Sequence, residues 1–236
     1  MTPTTHEVHV TRAGGIATLR LDRPGKRNAL SIALRLEIAA ALASVGGDAA
    51  VRATVLTGAP PAFCAGMDTT EFGGDETNRR KLLQSTDTFV NALLEHPKPL
   101  IAAVNGAALG GGFVLALLCD MRLASAGASF GFPELRHGLP ASYGAARAAL
   151  PVAVARDLCL TGRVIAADEA LRLGVVSAVE PDDARLLAVA RTRGAEIAAL
   201  PERGVTTTLG WARSESGSWR ELLAAERAAF SAALKV

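Results

Sequence analysis

Cysteine is scarce in this chain of 236 residues, and neither sign of charge is in large excess. The cysteines are odd in number and widely spaced, so they suit neither a disulfide framework nor a metal cluster: Cys64, Cys119 and Cys159. The four histidines also lie outside metal-ligand spacing. A formal net charge of +2 gives no reason to expect nucleic acid or an anionic membrane as the main partner. We therefore expect a cytoplasmic protein without a bound metal.

Long unbroken hydrophobic runs are missing as well. The first residues, MTPTTHEVHV, contain no apolar segment of the kind that a secretory signal carries. Residues 99–119 carry no charge, but Asn105 and four glycines interrupt them and no basic flank sets an orientation. We expect neither a secretory signal nor a membrane span.

The pattern of apolar residues predicts an α/β fold. Half of the chain is hydrophobic, which suits one domain with a large core. Apolar and polar residues alternate on both sides of Gly14 and Gly15, which predicts a hairpin. Residues 31–45 repeat apolar positions at helical spacing after Ser31, a predicted N-cap, and Ser142 is predicted to cap a later helix.

Strands and helices then alternate to about residue 180, which predicts parallel pairing with helical crossovers. From there the pattern is helical to the end. We therefore predict a core over residues 1–180 and a helical appendage over 181–236 that packs between subunits.

Three consecutive glycines, 110–112, lead into an apolar helix. Neither a G-x-G-x-x-G fingerprint nor a G-K-[ST] phosphate loop accompanies them. The cluster is therefore either a turn with close packing or a place where backbone meets a ligand. A similar corner follows Phe63, where FCAGMD turns at Gly66. If the free N–H groups of the two corners converge, they form an oxyanion hole.

Five segments, in this order, resemble the crotonase or enoyl-CoA hydratase/isomerase superfamily. They are LDRPGKRNALS (21–31), VLTGAPPAFCAGMD (55–68), HPKPLIAAVNGAALGGGFVLALLCDMRLAS (96–125), FGFPELRHGL (130–139) and LTGRVIAADEALRLGVVSAVE (160–180). The resemblance implies a spiral of stacked ββα units and a homotrimer, often paired into a hexamer. It also implies a coenzyme A thioester as substrate, with CoA entering as part of that substrate and no separate cofactor.

The resemblance also implies roles for individual residues. The oxyanion donors are the N–H groups of Met67 and Gly111, and the catalytic base is Glu134. At Gly111 a side chain would obstruct the thioester oxygen, whereas Gly110 and Gly112 permit the sharp turn. The residues implied to bind substrate or CoA are Lys26, Arg27, Ala29, Ala65, Gly66, Asp68, Gly110, Pro133 and Tyr143.

Three of those assignments leave an alternative open. Lys26 and Arg27 either reach the CoA phosphates or form a solvated surface turn. Asp68 either touches the ligand or bonds the backbone of its own loop. Tyr143 either donates its hydroxyl to substrate or packs.

One departure from the family pattern decides the predicted reaction. Hydratases of this family usually carry a second glutamate where this chain has Val114. Loss of one acid/base group typically costs about 10²–10⁴-fold in rate. The single Glu134 therefore favours isomerisation of 3-enoyl-CoA to 2-enoyl-CoA. The alternatives are hydration of 2-enoyl-CoA, hydrolysis or decarboxylation of a thioester, and a non-catalytic trimeric protein that binds CoA thioesters.

Overall fold

A computed structural model describes residues 6–214 and 217–233. Within them the strands are β1 (Val8–Ala13), β2 (Ile16–Leu21), β3 (Ala53–Gly58), β4 (Ala62–Cys64), β5 (Leu100–Val104), β6 (Ala107–Leu109), β7 (Met121–Ser125), β8 (Ser129–Gly131), β9 (Val164–Ala166) and β10 (Val179–Glu180). The helices are α1 (Ile32–Gly47), α2 (Glu76–Leu94), α3 (Gly111–Leu117), α4 (Tyr143–Ala149), α5 (Val152–Thr161), α6 (Ala167–Arg172), α7 (Asp183–Ala198), α8 (Glu202–Ser214) and α9 (Gly217–Ala233). Short 3₁₀ turns cover Pro24–Lys26, Thr69–Glu71 and Pro133–His137.

The predicted hairpin forms the edge of a six-stranded sheet. β1 pairs with β2 in antiparallel register, Val8 opposite Leu21. Gly14 and Gly15 make the turn at φ of 58° and 78°, a region that residues with a side chain rarely adopt. The order across the sheet is β1-β2-β3-β5-β7-β10, and every pair from β2 onward is parallel.

A smaller sheet stands beside the large one, in the order β4-β6-β8-β9. β4, β6 and β8 are parallel, and β9 runs antiparallel to β8. Each of the pairs β3/β4, β5/β6 and β7/β8 places one strand in each sheet before the next helix begins. This is the predicted spiral of ββα units, and the fold class is confirmed. The carboxyl ends of β4, β6 and β8 consequently meet at one edge.

Local sequence signals mark the start of α1 and the end of α2. Ser31 caps α1, because its Oγ accepts a hydrogen bond from the N–H of Leu34 at 3.1 Å. α2 ends at Leu94, before Pro97, as predicted. Ser142 occupies the N-cap position of α4 as predicted, but its side chain makes no capping hydrogen bond and its Oγ instead donates to Glu226 of α9.

The chain beyond residue 180 contacts the core directly. α7 covers one face of the large sheet, where Leu186 and Ala190 pack against Val55 and Ile101. The other face belongs to the main core, which α1, α2 and α3 cover. That the later helices pack between subunits stays a prediction.

Two further features of the described residues complete the fold. Within 6–214 and 217–233, no helix combines the length and apolarity needed to cross a membrane. The three cysteines are buried as free thiols, and burial raises the pKa of each to about 12. The three thiols are therefore protonated at neutral pH, and the protonated thiol is not the nucleophilic form.

Candidate active site

Two backbone corners meet at the edge of the small sheet. β4 leads into residues 65–68, and β6 leads through Gly110 into α3. Because β4 and β6 are parallel neighbours, both corners emerge on the same side. A Cβ placed on Gly111 would lie 3.5 Å from the Met67 nitrogen, and one on Gly66 would lie 3.5 Å from the Gly111 nitrogen. The predicted convergence of the two amides is therefore observed.

Both amides are free to bind an acceptor. Leu30 pairs with the residues on either side of Met67: its N–H donates to the Gly66 carbonyl at 2.8 Å, and its carbonyl accepts from the N–H of Asp68 at 3.2 Å. The N–H of Met67 is left out of this bridge. Gly111 opens α3, where an N–H has no acceptor within the helix. Within the described residues neither amide donates a backbone hydrogen bond, so together they can bind one oxyanion.

Two glycines of the cluster are required, for different reasons. Gly110 has φ of 51° and ψ of −121°, and a Cβ there would lie 3.0 Å from Oε2 of Glu134. Gly112 lies inside α3, where a Cβ would come within 2.0 Å of the Cys64 carbonyl oxygen. The prediction that Gly112 permits the sharp turn is therefore wrong, since it permits close approach of helix to strand. Gly111 is less crowded, with a Cβ 3.4 Å from its nearest neighbours.

Glu134 lies beside these two amides. It sits on the 3₁₀ turn after β8, the strand next to β6. Its Oε2 lies against Gly110 and is buried without a hydrogen-bond partner. Burial raises the pKa of Glu134 to about 7, and a hydrogen bond from its own backbone partly opposes the rise. A carboxyl group that titrates near neutral pH can both accept and return a proton.

A cavity of about 610 Å³ joins these groups. It contains both corners, Glu134 and Val114, with apolar side chains from α2 and α9. It also contains all but one of the predicted site residues: Lys26, Arg27, Ala29, Ala65, Gly66, Met67, Asp68, Gly110, Gly111, Pro133 and Glu134. Their individual roles stay predictions, but the structure brings them to one place.

Comparison with known proteins agrees with this geometry. The sequence profile described as enoyl-CoA hydratase/isomerase matches residues 11–229. The chain belongs to that family. It is 42% identical over 201 residues to a probable enoyl-CoA hydratase of Rhizobium meliloti, covering 81% of this chain and 75% of that protein. It is 39% identical over 184 residues to the 2,3-dehydroadipyl-CoA hydratase of Escherichia coli, covering 76% and 71%.

Solved structures of enoyl-CoA hydratases and isomerases show the same fold. An enoyl-CoA hydratase/isomerase from Mycobacterium paratuberculosis superposes with a TM-score of 0.88 at 27% identity, covering 99% of this chain and 96% of that one. One from Pseudoalteromonas atlantica gives a TM-score of 0.85 at 30% identity, covering 96% and 90%. The chain is thus an enzyme of the enoyl-CoA hydratase/isomerase family.

Tyr143 is the predicted site residue of this family member that lies outside the cavity. It is half-buried at the start of α4 and packs against the main core. Its neighbour Ser142 lines the cavity instead. Of the two alternatives for Tyr143, the structure supports packing, since its side chain packs against the main core and does not line the cavity.

Asp68 anchors its own loop. Its Oδ2 accepts from Nη1 of Arg23 at 2.6 Å, and its Oδ1 accepts from the hydroxyl of Thr70 at 2.6 Å. Burial acts to raise the pKa of Asp68, but the hydrogen bonds from Thr70 and Arg23 outweigh it and hold the pKa below its usual range. Of the two alternatives for Asp68, the geometry supports the bond to its own loop.

Sequence reasoning missed a buried arginine behind the corner that contains Met67. The Arg35 guanidinium donates from Nη1 to the Leu30 carbonyl at 2.7 Å and from Nε to Ser85 Oγ at 3.0 Å. The same Nη1 lies 3.3 Å from Met67 Sδ. Burial lowers the pKa of Arg35 to about 10, so it remains charged at neutral pH. Helical spacing could have indicated that Arg35 is buried, because position 35 lies on the same inward face of α1 as Ile38 and Leu42.

Sequence reasoning also missed the contribution of the last helix. Glu226 of α9 lines the same cavity as Glu134. Its Oε1 accepts from the N–H of Gly144 at 2.6 Å, and its Oε2 accepts from Ser142 Oγ at 2.9 Å. Burial raises the pKa of Glu226, and these hydrogen bonds oppose the rise. No local pattern in the sequence connects residues that lie more than 80 positions apart.

Proposed function

We propose that this enzyme isomerises 3-enoyl-CoA thioesters to conjugated 2-enoyl-CoA thioesters, with Glu134 as the proton carrier. The observation that carries the proposal is the position of its carboxyl group, buried against Gly110 beside two free amides. Val114 shares the cavity wall and supplies no second acid. One carboxylate is enough to move a proton within a substrate, whereas water addition favours two.

The reaction needs two proton transfers. With the thioester oxygen accepting from the N–H groups of Met67 and Gly111, the Glu134 carboxylate removes a proton from C2. The electron pair of that C–H bond passes into the thioester, giving a dienolate whose oxygen the two amides stabilise. The protonated Glu134 then returns the proton to C4, the C2–C3 double bond forms and the carbonyl is restored. The atoms balance without water or a separate cofactor.

The magnitudes suit this chemistry. Removal of one oxyanion donor costs about 2.7–4 kcal/mol in other enzymes, so two donors supply a substantial part of the barrier reduction. A pKa of about 7 for Glu134 keeps a large fraction of the carboxylate available at neutral pH. It also makes the protonated form acidic enough to return the proton to the dienolate.

The CoA part of the substrate would bind at the turn formed by residues 24–29. Lys26 and Arg27 are exposed there and border the cavity, where they can meet phosphates. The N–H of Ala65 donates to the Arg27 carbonyl at 3.0 Å, which fixes this turn to the first oxyanion corner. The backbone around Ala65 and Gly66 is proposed to hold the adenine. The trimer or dimer of trimers and the cytoplasmic location stay predictions.

Hydration of 2-enoyl-CoA is the second candidate. The curated relatives described above carry the name enoyl-CoA hydratase or 2,3-dehydroadipyl-CoA hydratase. Glu226 also brings a second carboxylate into the cavity wall. Both of its oxygens already accept hydrogen bonds, from Ser142 and from the N–H of Gly144, which leaves fewer acceptor positions for a water molecule.

Incubation with 3-decenoyl-CoA, followed by chromatography and mass spectrometry, tests the proposal. Conversion to 2-decenoyl-CoA at unchanged mass, lost in the Glu134→Gln variant, is the expected result. Water addition to added 2-decenoyl-CoA, without isomerisation, would favour the hydratase. Release of free CoA would indicate hydrolysis, and an unchanged 3-enoyl substrate would refute the isomerase.

A further inference from the structure

One face of α9 closes part of the cavity. Leu223, Glu226, Arg227 and Phe230 all line it, and their spacing of three and four residues places them on the same side of the helix. Leu223 is only 4% exposed. The last helix of this chain is therefore a wall of its own active-site cavity.

Aromatic and aliphatic contacts hold α9 on one side. The Phe230 and Phe72 rings meet edge to face, with centroids 5.8 Å apart and planes at 73°. Phe89 and Val90 of α2 continue this apolar surface. Leu223 comes so close to α4 that a Cβ on Gly144 would lie 3.1 Å from its Cγ.

Charged contacts hold α9 at two further points. Arg227 Nε pairs with Asp87 Oδ1 of α2 at 2.6 Å. Glu226 takes the place of the missing cap on α4, since it accepts from the N–H of Gly144 and the hydroxyl of Ser142. These contacts tie α9 to both α2 and α4, so the position of the wall depends on them.

The wall runs without interruption from the reacting centre to α9. Residues 139–142 all line the cavity and connect the Glu134 turn to the Ser142–Glu226 contact. Lys26 and Arg27 reach the cavity from the separate turn proposed for CoA. The acyl group that extends from the thioester therefore has the α9 side available to it.

The charges on the α9 side already have partners. Arg227 is paired with Asp87, and both Glu226 oxygens accept hydrogen bonds. A terminal carboxylate on the acyl group would lie beside the carboxyl group of Glu226, whereas an apolar chain would meet Phe72, Leu223 and Phe230. The surface favours uncharged apolar acyl groups.

We infer that Glu226 is a positioning residue that fixes α9 across the acyl end of the cavity and thereby selects thioesters with a long, uncharged acyl chain. The inference rests on the proposed site of thioester binding and names the substrate class for it. It concerns binding of the acyl chain and requires no proton transfer by Glu226.

Calorimetric binding of saturated acyl-CoA thioesters separates this role from catalysis, because these ligands are not turned over. We expect the wild type to bind decanoyl-CoA more tightly than butanoyl-CoA, and hexanoyl-CoA more tightly than its counterpart with a terminal carboxylate. Glu226→Ala should lose about tenfold in decanoyl-CoA affinity, while butanoyl-CoA affinity changes less than about twofold. Glu221→Ala, on an exposed position of the same helix, is the matched control and should behave as the wild type.

A purely structural cap would give a different result. Glu226→Ala would then weaken the binding of decanoyl-CoA and butanoyl-CoA equally, and that outcome would overturn the inference. Tighter binding of the carboxylate-terminated thioester than of hexanoyl-CoA by the wild type would also overturn it. If Glu226→Ala does not fold, Glu226→Gln and Ser142→Ala test the same contact and should show smaller losses with the same chain-length dependence. If the wild type binds as expected but leaves 3-enoyl-CoA unchanged, the isomerase proposal fails and the role of Glu226 stands.

Discussion

Replacement of Glu134 by glutamine should abolish activity and stabilise the fold at alkaline pH. The carboxyl group is held against Gly110 with one oxygen buried and unpartnered. Burial raises its pKa from 4.5 to about 7, a displacement worth about 3 kcal/mol. Because the side chain is only part-buried, screening by water reduces this figure, and we expect a gain of about 1–2 kcal/mol in the glutamine variant.

The sign of the effect follows from linkage. Below pH 4.5 the carboxyl is protonated in both the folded and the unfolded chain, so the two proteins should differ little. Between pH 4.5 and about 7 the unfolded chain ionises more readily than the folded one, and the wild type loses stability relative to the variant. Above about pH 7 the full difference remains.

The activity of the wild type should also depend on ionisation of Glu134, but in the opposite direction, since ionisation lowers stability and raises activity. The base must be ionised, so kcat/KM of the wild type should rise with pH and reach half its maximum near pH 7. An ordinary glutamate would already be fully active at pH 6. At pH 8, where the wild-type base is ionised, Glu134→Gln should lose about 10²–10⁴-fold, and the difference should narrow as the pH falls below 7.

Two assays check both parts. Urea unfolding at pH 4.5 and pH 8 measures the difference in the free energy of unfolding, and absorbance of the conjugated thioester follows isomerisation across the same range. A glutamine variant that keeps activity, or a wild-type rate that is flat between pH 5.5 and 8, would refute the role of Glu134. Equal stability of the two proteins at pH 8 would refute the cost assigned to burial.

Four further predictions address the hole, the missing acid, the CoA turn and a helix cap. Gly111→Ala should fold normally, since its Cβ meets neighbours at 3.4 Å. Its kcat should fall about 10²–10³-fold, because the added methyl group covers the two amides. A normal kcat together with an unchanged melting temperature would contradict the assignment of these amides as an oxyanion hole. Val114→Glu should acquire the ability to add water to 2-enoyl-CoA, which mass spectrometry detects. A variant that still only isomerises would contradict the proposal that the absence of an acid at position 114 prevents hydration. Lys26→Ala should raise KM for CoA thioesters about three- to tenfold and in a salt-dependent way, with pantetheine thioesters and the exposed control Lys81→Ala unaffected. Ser31→Ala should cost about 1 kcal/mol in urea unfolding without changing kcat, because it removes the cap on α1.

The backbone of the site was predictable because it depends on local features. The corners after Cys64 and Leu109 show in the sequence as glycines that follow apolar strands, and parallel pairing of those strands brings their ends together. Glu134 was assigned through the family resemblance of the segment FGFPELRHGL, and the structure places its turn after the next strand of the small sheet. Segments of this kind carry their geometry within a few residues.

Side chains fixed by distant contacts were not predictable. Tyr143 turns toward the core because of the way α4 packs, and nothing in the residues around it specifies that direction. Glu226 accepts the hydrogen bond at the start of α4 that was expected to go to Ser142. It does so through a contact between α9 and α4 for which the local sequence contains no signal. Gly112 was assigned to a turn, but its true constraint is the Cys64 carbonyl on a separate strand.

The most direct test of the proposed mechanism traces the proton that Glu134 transfers from C2 to C4. Wild-type protein and Glu134→Gln are incubated in ordinary water with 3-decenoyl-CoA that carries deuterium at C2, and the product is examined by mass spectrometry and NMR. We predict 2-decenoyl-CoA that carries deuterium at C4 and no added water, formed by the wild type alone. Formation of the same product by Glu134→Gln at an undiminished rate, or wild-type protein that leaves 3-decenoyl-CoA unchanged, would contradict the proposed role of Glu134 and the oxyanion hole.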